Sequence, residues 1–240
     1  MDFYALQIVD KAALTPAGLA DFESEKQLLG SLSHPFFPRY VKLYEEPRYS
    51  YLLSVYENGS DLSTAFKDFG RELTEEEARF YIACLILAVE FLHFRRVCIR
   101  NLRSDTILID SSGYPLVANL EYAKKVSEKS LTMVGTPHYM APEMISKKGY
   151  GLAVDYWSLG VILYESLYGK VPFGAAEQSP MRVYNEILNG ELRFPDQLNA
   201  HLREIIESLL DPQPSRRAKG SLSNLKQMPW LVRMNWVRTT

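Results

Sequence analysis

The stretch "GTPHYMAPEMISKKGYGLAVDYWSLGVILYESLYG", residues 135–169, decides the fold of this chain of 240 residues. Its first part reads as the end of a loop that begins near Lys124 and runs to Pro142. Its second part, from Ala153 onward, is a strongly apolar run with helical periodicity that stops at Gly169. The stretch therefore predicts a long loop that leads into a buried helix.

Upstream of this loop the sequence changes character near Gly59. The first 57 residues carry three strand-like runs, "YALQIV", "YVKLYEE" and "YSYLLSVY", and one helical run, "LADFESEKQLLGSL". Beyond Gly59, "LTEEEARFYIACLILAVEFLHF" is a long helix that opens on a capping box of Thr74 and Glu77. Two short strands, "TILID" and "PLVAN", and several further helices follow. The pattern predicts an α+β fold, with a small β-rich lobe at 1–57 and a mostly helical lobe at 58–240.

The composition excludes several classes of protein. Hydrophobic residues make up 47% of the chain, charged residues 23%, and the formal net charge is -2, so no overall positive field attracts nucleic acid. The longest apolar run is too short to span a bilayer and contains Glu90. Cys84 and Cys98 lie in apolar segments and are expected to be reduced core residues of a cytoplasmic protein.

Three motifs connect the chain to a known family. "GTPHYMAPE" (135–143), "DYWSLG" (155–160) and "PSRR" followed by "MPWLVRMNW" occur in the order and spacing of AGC-type protein kinases. The chain resembles the cAMP- and cGMP-dependent Ser/Thr kinases of that group over nearly its whole length. The resemblance implies one bilobal kinase-like domain whose small lobe is truncated, because the strands of the Gly-rich phosphate loop are absent.

The same resemblance implies that the reactive positions are degenerate. "VCIRNLRSDTILID" (97–110) corresponds to the catalytic loop, with Asn101 at the catalytic Asp and Thr106 at the metal-binding Asn. Gln7 stands where a Lys would hold the phosphates, and Asn119 and Glu121 stand at the Asp and Gly of the magnesium motif. We therefore expect no functional catalytic residue, no metal site, and no ATP or magnesium as cofactor.

The positions that shape the fold are retained, again by resemblance. Asp155 is expected to hold the backbone of the catalytic loop, and Glu143 to pair with Arg217. Glu25 corresponds to the helix Glu that normally pairs with the missing Lys. A stack of four apolar side chains is expected to join the lobes: Leu29, Leu43, Ile99 and Leu120.

A regulatory phosphate is the first of two binding possibilities. Thr132 aligns with the phosphorylated Thr of AGC kinases, and Arg100 and Lys124 align with the cations that grip its phosphate. The plainer interpretation is a solvent-facing Thr beside a retained Arg.

A peptide groove is the second possibility. Asp61, Asp105 and Glu165 match positions that bind basic substrate residues in cyclic-nucleotide-dependent kinases. The plainer interpretation is that these are ordinary surface acids.

The sequence is therefore interpreted as a pseudokinase that works as a protein-binding scaffold or an allosteric regulator. Its partner would be an active kinase, a regulatory subunit or a basic pseudosubstrate segment. Two alternatives stay open: a weak or unorthodox Ser/Thr kinase acting on basic substrates, and a truncated, non-functional fragment. The shortened small lobe is expected to expose a sheet edge and an apolar face.

Overall fold

A computed structural model describes residues 3–57, 59–68, 70–126, 129–195 and 198–236. The strands are β1 (Tyr4–Asp10), β2 (Tyr40–Glu45), β3 (Tyr49–Val55), β4 (Val97–Cys98), β5 (Ile107–Ile109), β6 (Pro115–Val117) and β7 (Lys124–Lys125). The helices are α1 (Pro16–Ser31), α2 (Leu62–Asp68), α3 (Glu75–Phe94), α4 (Pro142–Ile145), α5 (Ala153–Tyr168), α6 (Pro180–Asn189), α7 (Ala200–Leu209) and α8 (Leu222–Lys226). The α+β prediction is confirmed. The boundary at 57/58 stays a prediction, and both Asn58 and residues 237–240 lie outside the described residues.

The small lobe is an antiparallel sheet in the order β1-β3-β2, joined to the single long helix α1. Gln7 pairs with Leu52 in the register between β1 and β3. Helix α1 begins where the Thr15 hydroxyl accepts a hydrogen bond from the Gly18 N–H at 3.1 Å, with Pro16 at its first position. Leu29 of α1 and Leu52 are both buried in the core.

One face of this sheet is exposed and apolar. Tyr4, Leu6 and Ile8 alternate along β1 and are between 49% and 58% exposed, since residues two apart share a face. Leu43 of β2 lies on the opposite face, because it pairs with the buried Leu52, and it is 42% exposed. It lines a cavity of about 290 Å³ together with Leu29. The stack between the lobes stays a prediction, and its other three members are buried: Leu29, Ile99 and Leu120.

The large lobe is built on α3 and α5. The predicted capping box opens α3: the Thr74 hydroxyl accepts from the Glu77 N–H, and the Glu77 carboxylate accepts from the Thr74 N–H. Helix α5 ends at Gly169, whose φ of +66° is a left-handed value that favours glycine. A Cβ at Gly160 would lie 2.8 Å from Leu209, so the glycine lets α5 approach α7 closely. Within the described chain, no helix is long and apolar enough to cross a membrane.

A buried ion pair joins the start of α4 to the segment before α8. Arg217, which has no exposed side-chain surface, donates to both carboxylate oxygens of Glu143 at 2.7 and 3.0 Å. The same guanidinium donates to the carbonyls of Asp211 and Ala153. Its plane also lies over the Trp157 ring, with its central carbon 5.2 Å from the ring centroid. The guanidinium therefore joins α4, α5 and the segment that follows α7.

We expect Glu143→Ala to lower the free energy of unfolding by about 3–5 kcal/mol, because it leaves the Arg217 charge buried without its partner. The measurement is urea unfolding followed by circular dichroism. Glu204→Ala is the matched control, since Glu204 pairs with Lys219 at 3.2 Å while both side chains are about half exposed. That control should cost less than about 1 kcal/mol. Equal losses in the two variants would contradict the anchoring role of Arg217.

Candidate functional site

The loop between β4 and β5 is held by one buried carboxylate. Asp155, at the start of α5 and fully buried, accepts the N–H groups of Ile99 and Arg100, each at 2.9 Å. His93 Nε2 lies 2.7 Å from the same carboxylate. The residue therefore fixes the loop backbone to the large lobe, in the way the resemblance implies.

Arg100 takes up an uncommon backbone conformation in this loop. Its φ is +68°, which is unfavourable for a residue with a Cβ. Its Nε donates to the Tyr122 carbonyl at 2.5 Å, and its N–H is held by Asp155. These contacts compensate for the strained backbone and tie the loop to the segment after β6.

Asn101 lies next in the loop and is 8% exposed. Its Oδ1 accepts two hydrogen bonds from Thr136, from the backbone N–H at 3.0 Å and from the hydroxyl at 3.1 Å. The close approach depends on Gly135, whose φ is +109° and where a Cβ would lie 2.9 Å from the Arg100 carbonyl oxygen. Because the oxygen of Asn101 is used in this way, the group left to face a ligand is the amide NH₂, which donates and cannot take up a proton.

Thr106 and Asn119 present neutral oxygens near this loop. The Thr106 hydroxyl donates to the Arg103 carbonyl at 2.9 Å, within the short helical turn that precedes β5. Asn119 Oδ1 accepts the Glu121 N–H at 2.9 Å. Both side chains therefore stabilise local turns, and each oxygen keeps a lone pair for another contact.

Glu25 is a buried carboxylate that forms no ion pair within the described chain. It is 5% exposed, and it shares a cavity of about 150 Å³ with Gln7 and Glu121. The neighbouring Lys26 pairs instead with Glu23 and Glu45. Burial, and then the charge of Glu121, raise the pKa of Glu25 to about 7.

The three acidic residues predicted to form a peptide groove already have partners of their own. Asp61 accepts the N–H and the hydroxyl of Thr64 at the start of α2, and Asp105 pairs with Arg103 at 3.0 Å. Glu165 accepts the Tyr139 hydroxyl at 2.6 Å. Burial raises the pKa of Glu165, and the nearby charge of Asp105 adds to that effect. Asp105 and Glu165 are thus close neighbours, whereas no described contact joins Asp61 to either.

The predicted phosphate site is only partly assembled. Thr132 is exposed, and its carbonyl accepts the Tyr150 hydroxyl at 2.6 Å. Arg100 reaches the same hydroxyl at a long 3.5 Å. Among the described residues, no contact links Thr132 directly to Arg100 or to Lys124. The link through Tyr150 was not anticipated from the sequence.

Two further contacts were missed by the sequence reasoning. His93 Nε2 lies 2.7 Å from the Asp155 carboxylate. Ser104 and Glu165 both hydrogen-bond the Tyr139 hydroxyl. A polar residue inside the apolar run of α3 was the only signal for His93, and no sequence pattern indicated the Tyr139 contacts.

The raised pKa of Glu25 predicts a pH-dependent stability. Because the folded pKa of about 7 exceeds the ordinary value of 4.5, stability should fall as pH rises from about 4.5 to about 7, by roughly 3 kcal/mol. Glu25→Gln should lose that slope and be the more stable protein at pH 8, as measured by urea unfolding at pH 5 and pH 8.

Gln7→Lys is the informative companion variant, since it supplies a cation to the same cavity and should also stabilise the protein at pH 8. Glu45 and Glu77 have pKa values lowered to about 2, so they change the stability only at pH values below about 4.5. Identical pH profiles for wild type and Glu25→Gln would refute the assignment.

The family model and the relatives with which the chain was compared point to the same family. The model of the protein kinase domain matches residues 1–231. The chain is 36% identical over 227 residues to a cGMP-dependent protein kinase of Plasmodium berghei, covering 94% of the chain and 26% of that protein. It is 32% identical to a cAMP-dependent protein kinase catalytic subunit of Dictyostelium discoideum, covering 98% of the chain and 37% of that protein. It is 34% identical to the human cAMP-dependent protein kinase catalytic subunit PRKX, covering 89% of the chain and 60% of that protein.

This match corrects the prediction that the chain takes no cofactor. Protein kinase domains bind ATP with magnesium, and a match across residues 1–231 overturns the expectation that this group is absent. The side chains at the family's metal positions are oxygen donors, which magnesium prefers. The Asn119 amide, whose Oδ1 accepts the Glu121 N–H at 2.9 Å, and the Thr106 hydroxyl would hold it. When bound, magnesium neutralises phosphate charge.

The chain thus spans between 26% and 60% of the length of these three relatives. The match to the family model covers nearly all of the chain, and the order of the motifs agrees with it. The chain belongs to the protein kinase domain family, among relatives that are cGMP- and cAMP-dependent protein kinases.

Proposed function

We propose that this member of the protein kinase family has lost phosphoryl transfer and acts through protein binding, as a scaffold or an allosteric regulator in phosphorylation signalling. The proposal concerns phosphoryl transfer alone and does not exclude nucleotide binding in the family's cleft. We also propose a cytoplasmic location, which the two free, buried thiols of Cys84 and Cys98 support.

The observation that carries the proposal is the environment of Asn101. A kinase needs a carboxylate here to accept the proton of the substrate hydroxyl. Asn101 offers an amide whose oxygen is already bound by Thr136 at 3.0 and 3.1 Å. Only a donor remains, so a hydroxyl placed beside it would keep its proton.

The cavity at Glu25 supports the same conclusion from the other lobe. An active kinase uses a Lys–Glu pair to place the phosphates. Here the carboxylate faces Gln7, which carries no charge, and Glu121, which repels it. The cation that would organise the transferred phosphate is missing from this position.

A phosphotransfer assay tests the loss of chemistry. With radiolabelled ATP, magnesium and an arginine-rich Ser peptide, the wild-type chain should transfer no phosphate above background. The triple variant Gln7→Lys, Asn101→Asp, Asn119→Asp should transfer it at least roughly a hundredfold faster, because it restores the base and two phosphate-placing charges.

A thermal-shift titration with ATP serves as the control for that assay. ATP at a hundred times its dissociation constant stabilises a protein by about 2.7 kcal/mol, so a shift shows that nucleotide is present when transfer is measured. Transfer by the wild type at a rate near that of the triple variant would instead establish a weak Ser/Thr kinase. A chain that does not melt cooperatively would point to a non-functional fragment.

We propose that the bound partner presents a basic segment to the acidic groove. Glu165 is partly buried and lines a cavity of about 260 Å³ with Ser63 and Phe66 of α2, and Lys67 and Arg71 also border it. Asp105 is not part of that lining but lies close enough to influence the pKa of Glu165. A carboxylate beside a cavity, with a second one near it, can accept N–H groups of an arginine side chain.

Charge reversal tests the groove. The double variant Asp105→Lys, Glu165→Lys should weaken binding of a fluorescent arginine-rich peptide by at least about tenfold, because attraction becomes repulsion. Asp68→Lys, Glu191→Lys is the matched control on exposed acids that have no ion pair within the described chain, and it should change binding by less than about threefold. Equal affinities in the two double variants would rule out the groove.

A further inference from the structure

A second concave site lies behind the catalytic loop, between α1, the end of α3 and β7. It has a volume of about 420 Å³, larger than the cavities at Glu25 and Glu165. Its floor is apolar and is made by Leu28, Val97 and Ala123, of which the last two are buried. The site is therefore wide enough for a large apolar side chain.

Three exposed cations line the same cleft: Arg95, Lys124 and Lys125. In the described parts of the chain, none of them forms an ion pair with a carboxylate. Lys26 of α1, by contrast, pairs with Glu23 and Glu45. The cleft thus concentrates positive charge that has no ion pair within the described residues, in a protein whose net charge is -2.

Rigid elements hold these cations in place. The guanidinium of Arg95 lies 3.7 Å from the centroid of the Phe91 ring and donates to the Phe91 carbonyl at 3.1 Å. The two lysines lie on β7, which pairs with β4 in the register Val97 with Lys125. A further bond, from the Val126 N–H to the Arg96 carbonyl at 2.8 Å, extends that pairing.

We propose that this cleft binds an acidic peptide segment of a protein partner. An apolar side chain of the segment enters the cavity, and flanking carboxylates contact Arg95, Lys124 and Lys125. The concave shape favours a peptide over a flat lipid surface, since a membrane cannot fill a cavity with an apolar floor and charged rim. The site is separate from the acidic groove and does not depend on the loss of phosphoryl transfer.

The assignment also gives Lys124 a role other than phosphate binding. The sequence associated Lys124 with Thr132, but no described contact joins them, and Lys124 lines this cleft instead. A carboxylate held between a Lys and a stacked Arg gains charge-assisted hydrogen bonds on a fixed frame. The cleft thus selects its partner by the negative charge of the peptide and by one apolar side chain that enters the cavity.

Fluorescence anisotropy tests the proposal, with a labelled peptide that has one tryptophan flanked by glutamates. The variant Lys124→Glu, Lys125→Glu should weaken binding by at least about tenfold, and raising the ionic strength from about 0.05 M to about 0.3 M should weaken binding to the wild type. The control is Lys147→Glu, Lys148→Glu, an exposed lysine pair without a described ion pair, which should bind within about threefold of wild type. Equal binding by both variants would overturn the proposal.

Further measurements separate the alternative ligands. Replacing the tryptophan of the peptide by alanine should weaken binding, and unchanged binding would overturn the insertion of an apolar side chain. Arg95→Gln gives an independent variant should the lysine variant fail to melt cooperatively, and it should also weaken binding. Binding of anionic lipid vesicles without binding of the peptide would overturn the peptide proposal in favour of a lipid surface. Displacement of the peptide by inorganic phosphate at low millimolar concentration would overturn it in favour of a small-anion site.

Discussion

The rest of the structure depends on the carboxylate of Asp155. It accepts two consecutive backbone N–H groups and contacts His93, so it fixes the start of the loop between β4 and β5. Buried carboxylates are costly unless they are fully hydrogen-bonded, and this one has three partners. The strained backbone of Arg100 and the position of Asn101 both follow from that anchor. This anchor positions the loop that carries Asn101.

The neutral side chains of the candidate site suit the fold because each satisfies its surroundings. Asn101 uses its oxygen to accept from Thr136. Thr106 satisfies its hydroxyl within a turn, and Asn119 accepts the N–H of Glu121. Glu25 is a retained residue, and no cation in the described part of the chain pairs with its carboxylate. The three neutral side chains are therefore compatible with the fold, whereas the buried carboxylate carries a cost in stability.

Much of the fold was predictable, because periodicity and capping are local. Short windows of sequence are enough to predict the apolar alternation of β1, the capping box of α3 and the glycine that ends α5. Leu43 shows the limit: the family resemblance placed it in an apolar stack, but its 42% exposure depends on which elements cover the strand. The association of Lys124 with Thr132 stays a prediction, since a side chain's direction is set by packing. The pKa of Glu25 needed both the cavity and the position of Glu121.

The exposed face of β1 has a consequence for how stability is distributed. The large lobe encloses α3 and α5 in a continuous core, whereas Tyr4, Leu6 and Ile8 bury about half of their surface. Local opening costs least where few apolar contacts are lost. The sheet is therefore the part of the molecule that opens first, and its amide hydrogens exchange with solvent well before those of α3. A partner that covers the sheet would lengthen the lifetime of the small lobe without changing the unfolding of the large one.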